Sequence, residues 1–298
     1  MKKKVFVMVI SAAMTFGLLA VHSAAEGLTA LDALAVLKHV AGVEPLSAEQ
    51  RAKLDFAEDR LVTTADALAV LKKAVGTGTL PDAPERIIDP SKPMIALTFD
   101  DGPNTTNAVL VLDELEKRGI VATFFVIGGN INDQSAEVMK RSYGLGNEFA
   151  NHSWGWNSMG GMEAENIIKS LTDTSNKIVE VLGENARPKF FRAPNLNTSP
   201  AMIETVAELG YPLMEGIMGN DWEGNATPES IFNLVVPKVK DGSIILLHDG
   251  GSNNATAEGI GAILDALIEE GFQFVTLSEL FELKGVEIEA GKKYASVG

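Results

Sequence analysis

The chain has 298 residues, no cysteine, and 40 acidic against 25 basic side chains, for a net charge of −15. That length suffices for a domain of about 200 residues with a smaller companion, and the acidic balance argues against nucleic acid or an anionic membrane surface as a partner. Without thiols, stability rests on the core and on bound ions, not on disulfides.

Residues 1–25 carry three lysines, an apolar stretch from Val5 to Val21, and small residues at Ser23 and Ala25. This reads as a secretory signal, and so as a secreted protein with no membrane association after cleavage; an uncleaved anchor is the competing reading, because the stretch approaches the roughly 20 residues that span a bilayer. Removal of the signal leaves 22 basic against 40 acidic side chains, a net charge of −18.

Directly after it, TALDALAVLKHVAG at 29–42 recurs as TTADALAVLKKAVG at 63–76, with 9 of 14 positions identical. Leu34, Leu37 and Val40 fall at helical spacing, which predicts paired amphipathic helices in an all-α module over 26–80. Asp55, Asp59 and Asp66 stand at positions 1, 5 and 12 of a twelve-residue stretch, the spacing of an EF-hand calcium loop. The repeat resembles a degenerate dockerin, the calcium module that plugs cellulosomal enzymes into a cohesin-bearing scaffold, with Ala57 and Arg60 where such a loop expects a polar ligand and a glycine. A helix pair whose aspartates merely cap and solvate it is the alternative. His39 lies on the first helix and reads as an inert surface residue.

Four prolines in 81–93 predict a linker. From Met94 to Gly285, short apolar runs (IALTF, VATFFVI, EFANHS, KFFRAP, YPLMEG, SIILLHD and FQFVTL) alternate with helical patterns over 109–118, 136–144, 163–182, 200–209, 228–239 and 257–270. Such alternation predicts an α/β fold of parallel strands and crossover helices, either a barrel or a doubly wound sheet. Chemistry in both gathers at the carboxyl edge of the strands. Residues 286–298 are left as a C-terminal tail.

At that edge fall Asp100 and Asp101 after IALTF, His152 after EFAN, Arg192 after KFF, Asp221 after GIMGN, and His248 with Asp249 after SIILL. Two adjacent carboxylates repel unless a cation compensates, and a divalent metal does so while acidifying water. One aspartate then serves as ligand and its neighbour as base. An imidazole is a natural second ligand for zinc or cobalt, and Arg192 suits a charge-assisted hydrogen bond to the base. Trp154 and Trp156 read equally well as sugar-stacking or core residues.

The segments TFDDGP, NHSWGWN, FFRAPN, NDW and LLHD follow, in order and spacing, five motifs of carbohydrate esterase family 4, the polysaccharide deacetylases of the NodB-homology type. The resemblance covers roughly 92–285. KFFRAPNLNTSP and FVTLSELFELKGV look particularly similar to the cellulosomal acetylxylan esterases of that family. It implies a distorted (β/α) barrel over 94–285 acting on acetylated polysaccharide. In it Asp100 is the general base, Asp101 and His152 hold the metal, and Arg192 orients Asp100. The Asn195 amide helps hold the oxyanion, His248 protonates the leaving group under the control of Asp221, and Trp222 and Leu246 form the acetyl pocket.

Motif two in most members supplies two histidines; the second position here is Trp156. Zinc or cobalt is the expected ion, and that loss predicts looser binding in an open shell with a preference for cobalt or nickel over zinc. An acid that commonly lies four residues before the motif-four tryptophan is replaced by Met218. The reading that results is O-deacetylation of xylan, because an ester is cleaved more readily than an amide. N-deacetylation of chitin oligomers or peptidoglycan, and a non-catalytic carbohydrate-binding module on an inactive fold, are the alternatives.

Overall fold

The computed structural model describes residues 30–55, 62, 63, 66, 67, 70, 86–250 and 253–298. The segment read as a signal and Asp59 lie outside the described residues. No described helix is long and apolar enough to cross a membrane. The chain forms two compact units, Met1–Pro81 and Asp82–Gly298.

In the first unit, helix α1 (Ala30–Val40) is followed by α2 (Ala48–Leu54), a helix that the repeat did not predict. Its signal is a capping box: the Ser47 side chain accepts from the Gln50 amide while Gln50 accepts from the Ser47 amide. The core is Ala33, Val36, Leu46, Leu54, Ala67 and Val70. Ala33 and Ala67, like Val36 and Val70, are equivalent positions of the repeat, so both copies bury the same face. That face differs from the predicted stripe, since Val40 at its end is 44% exposed. Asp66 is buried and its Oδ2 accepts from the Thr63 amide and hydroxyl at 2.7 and 2.9 Å, while Asp55 ends α2. His39 does more than predicted, because its Nδ1 accepts the Leu46 amide at 3.2 Å.

The second unit carries strands β1 (Met94–Asp100), β2 (Thr123–Val126), β3 (Glu148–Asn151), β4 (Leu213–Met214), β5 (Ile217–Met218), β6 (Ile244–His248), β7 (Gln273–Val275) and β8 (Lys293–Tyr294). Its helices are α3 (Asn107–Arg118), α4 (Asp133–Gly144), α5 (Ala164–Leu182), α6 (Pro200–Glu208), α7 (Pro228–Val235), α8 (Asn254–Glu269) and α9 (Leu277–Lys284). All paired strands are parallel, in the order β3-β2-β1-β6-β5, with β7 against the start of β1 and β4 against β8. Single parallel bridges from Asn151 to Phe191 and from Phe191 to Leu213 join β3 to β4. Because β4 runs into β5 after two residues, the sheet closes into a distorted barrel.

KFFRAP, expected as a strand, contributes only Phe191, because Pro188 and Pro194 lack the N–H groups that a longer ladder needs. β1 is buried on both faces, as its unbroken apolar run requires. Met94 and Ala96 enter the cluster formed with Phe125, Ala150, Phe190, Met214 and Val275. On the other face, Phe99, Phe124 and Phe149 are register partners and stack at 5.4 and 5.9 Å.

Two predicted boundaries move. The end of the proline-rich linker is tied to the second unit: Arg86 donates to the Phe274 carbonyl and pairs with Glu279, and the Asp89 amide donates to Gln273. Residues 286–298, expected as a tail, also belong to this unit, since β8 pairs with β4 and both Tyr294 and Val297 are buried in its core. Helix α9 opens with a capping box between Thr276 and Glu279, a spacing visible in TLSEL.

Gly242 locks this closure. Its φ is +79°, and a Cβ there would lie 1.9 Å from the Val297 carbonyl oxygen. Gly242→Ala is expected to cost about 2 kcal/mol or more and to lower the thermal midpoint by several degrees in calorimetry, and an unchanged midpoint would refute the tail's structural role.

Candidate active site

Strand parity separates the two adjacent aspartates. Asp100 lies on the same face of β1 as Met94, Ala96 and Thr98 and points into the barrel, where its side chain is 4% exposed. Asp101 leaves the strand with φ 74° and a side chain 25% exposed, its carbonyl accepting from the Asn130 carboxamide at 2.9 Å.

Register brings the partners. Asp100 is the Cα partner of His248 on β6, and the Asp249 amide donates to the Asp100 carbonyl. His152 follows β3, with its amide on the Val126 carbonyl, and Arg192 follows the Phe191 bridge, with its amide on the Asn151 carbonyl.

Arg192 is fully buried. It donates from Nη1 to Asp100 Oδ1 at 2.6 Å and to Thr98 Oγ1 at 2.9 Å, from Nε to the Met214 carbonyl at 3.1 Å, and from Nη2 to the Glu215 carbonyl at 3.3 Å. Its guanidinium stacks over Phe125, 4.1 Å from the ring centroid. This leaves Asp100 Oδ2 facing His152, 3.8 Å from Nε2.

On the opposite wall, His248 Nδ1–H donates to Asp221 Oδ1 at 2.8 Å. Asp221 Oδ2 accepts from the His248 amide at 2.7 Å and from the Thr256 hydroxyl at 2.6 Å. Burial acts to lower the His248 imidazole, but the Asp221 hydrogen bond and the charges of Asp100, Asp221 and Asp101 outweigh it and push it up to about 9. His248 is therefore a proton donor at neutral pH, with Nε2 as its free end. Asp249 behaves oppositely. Full burial, then the charges of Asp101 and Asp100, push its carboxyl up to about 8, so it is neutral at pH 7.

His152 Nδ1–H donates to the Arg192 carbonyl at 2.8 Å, which turns the Nε2 lone pair toward Asp101 Oδ1 at 3.5 Å. A lone pair facing two carboxylates is a donor set that a cation completes. No group of three His, Cys, Asp or Glu side chains among the described residues is placed to hold a metal. The set is thus Asp101 and His152, which fits an open-shell divalent ion with water in the remaining positions.

A cleft of about 290 Å³ joins Asp100, Asp101, His152 and His248 with Asn195, Leu246, Trp156, Trp222 and Met218. Trp222 stands edge-on to His248, 5.4 Å between centroids. The described non-glycine residues with positive φ are Asp101, Ser153, Asn195, Leu196 and Asn220. Three of them line this cleft and the other two adjoin His152 and Asp221, so the backbone strain collects at the site.

The structure thus gathers Asp100, Asp101, His152, Arg192, Asn195, Asp221, Trp222, Leu246 and His248 in one place. Asp55 and Asp66 belong to the other unit. Sequence reasoning missed Thr98 and Thr256, for which no local signal exists. It noted Asp249 but had no ground for its burial or neutrality.

A parallel barrel with an arginine-paired acid, an acid and imidazole facing a shared cation position, and a protonated histidine over one cleft defines a metal-assisted hydrolytic site. The polysaccharide deacetylase family model matches residues 88–214. The chain is 41% identical to a family 4 acetyl xylan esterase from Clostridium thermocellum solved with a cobalt ion, covering 68% of this chain and 98% of that one with a TM-score of 0.65. It is 40% identical over 193 residues to a bifunctional xylanase/deacetylase from Pseudobutyrivibrio xylanivorans, covering 65% of this chain and spanning only 31% of that protein. It is 35% identical to a peptidoglycan-N-acetylglucosamine deacetylase from Bacillus cereus, covering 64% of this chain and 89% of that protein. The chain belongs to the polysaccharide deacetylases of carbohydrate esterase family 4.

Arg192→Leu is expected to leave Asp100 buried without its counter-charge and to cost roughly 3–5 kcal/mol in equilibrium unfolding. A loss under about 1 kcal/mol, the range of an exposed pair, would contradict the pairing.

Proposed function

We propose that this protein is a secreted, metal-dependent carbohydrate esterase that removes O-acetyl groups from xylan. The observation that carries the reading is the pairing of Asp100 with Arg192 beside the Asp101–His152 donor pair and opposite the His248–Asp221 pair. The names of the relatives at 40% and 41% identity support xylan as the polymer, and the lysine-led apolar start of the chain supports secretion.

Asp101 and His152 would hold the ion, whose chemistry when bound would be Lewis acidity toward water and toward an ester carbonyl. Asp100, kept in place by Arg192, takes a proton from the attacking water at Oδ2. The Asn195 amide donates to the oxyanion that develops on the acetyl carbonyl. As the sugar oxygen departs, His248 gives it the Nε2 proton, so that acetate and a free hydroxyl are the products. Asp221 fixes the tautomer by occupying Nδ1, and Leu246, Met218 and Trp222 enclose the acetyl methyl. N-deacetylation of chitin or peptidoglycan is the second reading, favoured by the 35% identical peptidoglycan deacetylase.

The N-terminal repeat is proposed as a calcium-dependent docking unit for a cohesin-type scaffold, supported by the duplicated segment and its Asp55, Asp59 and Asp66 spacing. Capture by immobilised cohesin that calcium chelation does not affect would argue against it.

Acetate release from acetylated xylan is expected to exceed that from acetylated chitooligosaccharide. Chelation should abolish it, added cobalt or zinc should restore it, and Asp100→Asn should reduce it by three orders of magnitude or more, on the order of a lost general base together with its alignment. Faster turnover of the chitin substrate would make N-deacetylation the activity, and a metal-loaded protein inert on both would leave only the binding module.

His248 works as an acid, so activity should persist to alkaline pH and fall as pH rises through about 9, where the imidazolium is lost. Asp221→Asn removes one of the groups that raise it, and the alkaline limb of the pH–rate profile should move to lower pH by about 1–2 units. A limb that stays in place would exclude Asp221 as the tuning group.

A further inference from the structure

The turn that carries Asn195 is strained. Asn195 and Leu196 are consecutive residues with φ of 56° and 51°. Asparagine enters the left-handed region readily, but a leucine there is disfavoured and persists only where its surroundings impose the conformation. Within the turn, the Leu196 amide donates to the Ala193 carbonyl at 2.9 Å and the Asn197 amide to the Pro194 carbonyl at 3.2 Å. Both bonds are local, so neither ties the turn to the rest of the barrel.

That tie comes from the segment after His152. Met159 is fully buried and joins Phe191, Ala193 and Met202 in one apolar cluster, which anchors the segment beside the turn. Next to this anchor, the Gly160 amide donates to Asn197 Oδ1 at 2.9 Å. The Asn195 carboxamide adds longer bonds to the Trp156 carbonyl and the Ser158 hydroxyl, at 3.4 and 3.5 Å. A Cβ on Gly160 would lie 2.5 Å from Asn197 Oδ1, whereas one on Gly155 or Gly161 would meet nothing within 4 Å. Of these three glycines, the one that faces Asn197 is the one that must lack a side chain.

The segment and the turn are two walls of one site. Ala193, Pro194, Asn195 and Leu196 line the catalytic cleft, and Trp156 lines both that cleft and a larger one, of about 500 Å³, beside it. Asn197 lines neither. We propose that Asn197 is a positioning residue for deacetylation: by accepting from Gly160 it holds the left-handed turn in place and presets the Asn195 amide that receives the oxyanion. The task of the Asn195 amide rests on the esterase reading; the clamp between Gly160 and Asn197 does not. A misplaced oxyanion donor slows the chemical step and leaves ground-state binding largely unchanged.

The test compares the wild type with Asn197→Ala, Asn197→Asp, Gly160→Ala and the double variant Asn197→Ala/Gly160→Ala in acetate release. Asn197→Ala is expected to lower kcat about 10-fold or more with KM within about 2-fold, a part of the roughly 100- to 1,000-fold that loss of a whole oxyanion donor costs. Asn197→Asp keeps the acceptor oxygen and should stay within about 3-fold of the wild type. Gly160→Ala should also lower kcat, and the double variant should be no slower than the slower single one, because both substitutions break the same contact. Independently of activity, hydrogen exchange at the Leu196 amide, whose own acceptor no substitution alters, should quicken by about 3- to 10-fold in Asn197→Ala and not in Asn197→Asp. Asn197 is exposed, so its variants remain folded for this comparison. An unchanged kcat in Asn197→Ala, a loss confined to KM, or additive losses in the double variant would overturn the positioning role and leave the esterase reading intact. Unchanged Leu196 exchange would overturn the clamp. A wild type inert on acetylated xylan and acetylated chitooligosaccharide would sink the esterase reading, and faster Leu196 exchange in Asn197→Ala would still uphold the hold on the turn.

Discussion

The ion pair between Asp100 and Arg192 inside the barrel is the constraint around which the second unit is arranged. A guanidinium with no solvent contact is costly to bury, and one carboxylate alone does not repay that cost. Arg192 is therefore given the Thr98 hydroxyl, the Met214 and Glu215 carbonyls and the face of Phe125 as well. These partners come from β1, β2, the end of β4 and the turn between β4 and β5, so satisfying one cation aligns strands from opposite sides of the barrel. An apolar core of equal volume would serve stability at least as well. What the pair provides instead is a carboxylate with one oxygen immobilised and the other turned to the cleft.

The same economy runs through the rest of the site. A period of two along β1 makes Asp100 an interior group and leaves Asp101 to the turn, so two like charges adjacent in sequence occupy different environments. Parallel register then sets His248 beside Asp100, and the Asn151–Phe191 bridge sets Arg192 beside His152. Each histidine has its Nδ1 committed, His152 to the Arg192 carbonyl and His248 to Asp221, so both present Nε2 to the cleft. Neutral Asp249 completes this division beneath the turn, where a third ionised carboxylate would oppose the other two. Gly102 is required there, because a Cβ would lie 2.8 Å from Asp249 Oδ1.

Loss of the second motif-two histidine changes the function of position 156 without emptying it. Trp156 lines both clefts and is 57% exposed, so the position carries an open indole in place of an imidazole.

Local pattern by itself determined a good deal. Alternating apolar runs and amphipathic segments specified parallel strands with crossover helices, and the polar residues at the strand ends specified where Asp100, Asp101, His152, Arg192, Asp221 and His248 would meet, because parallel strands deliver their carboxyl ends to one edge. The repeat likewise marked the helical core of the first unit, though it was Ala33 and Val36, not Val40, that went inside. Only the tertiary structure decided the remainder. The closure of the barrel through Phe191, the incorporation of residues 286–298, the support from Thr98 and Thr256 and the neutrality of Asp249 all arise from contacts between residues distant in the chain. Burial and hydrogen-bond satisfaction are properties of those contacts, and no spacing along a single strand or helix encodes them.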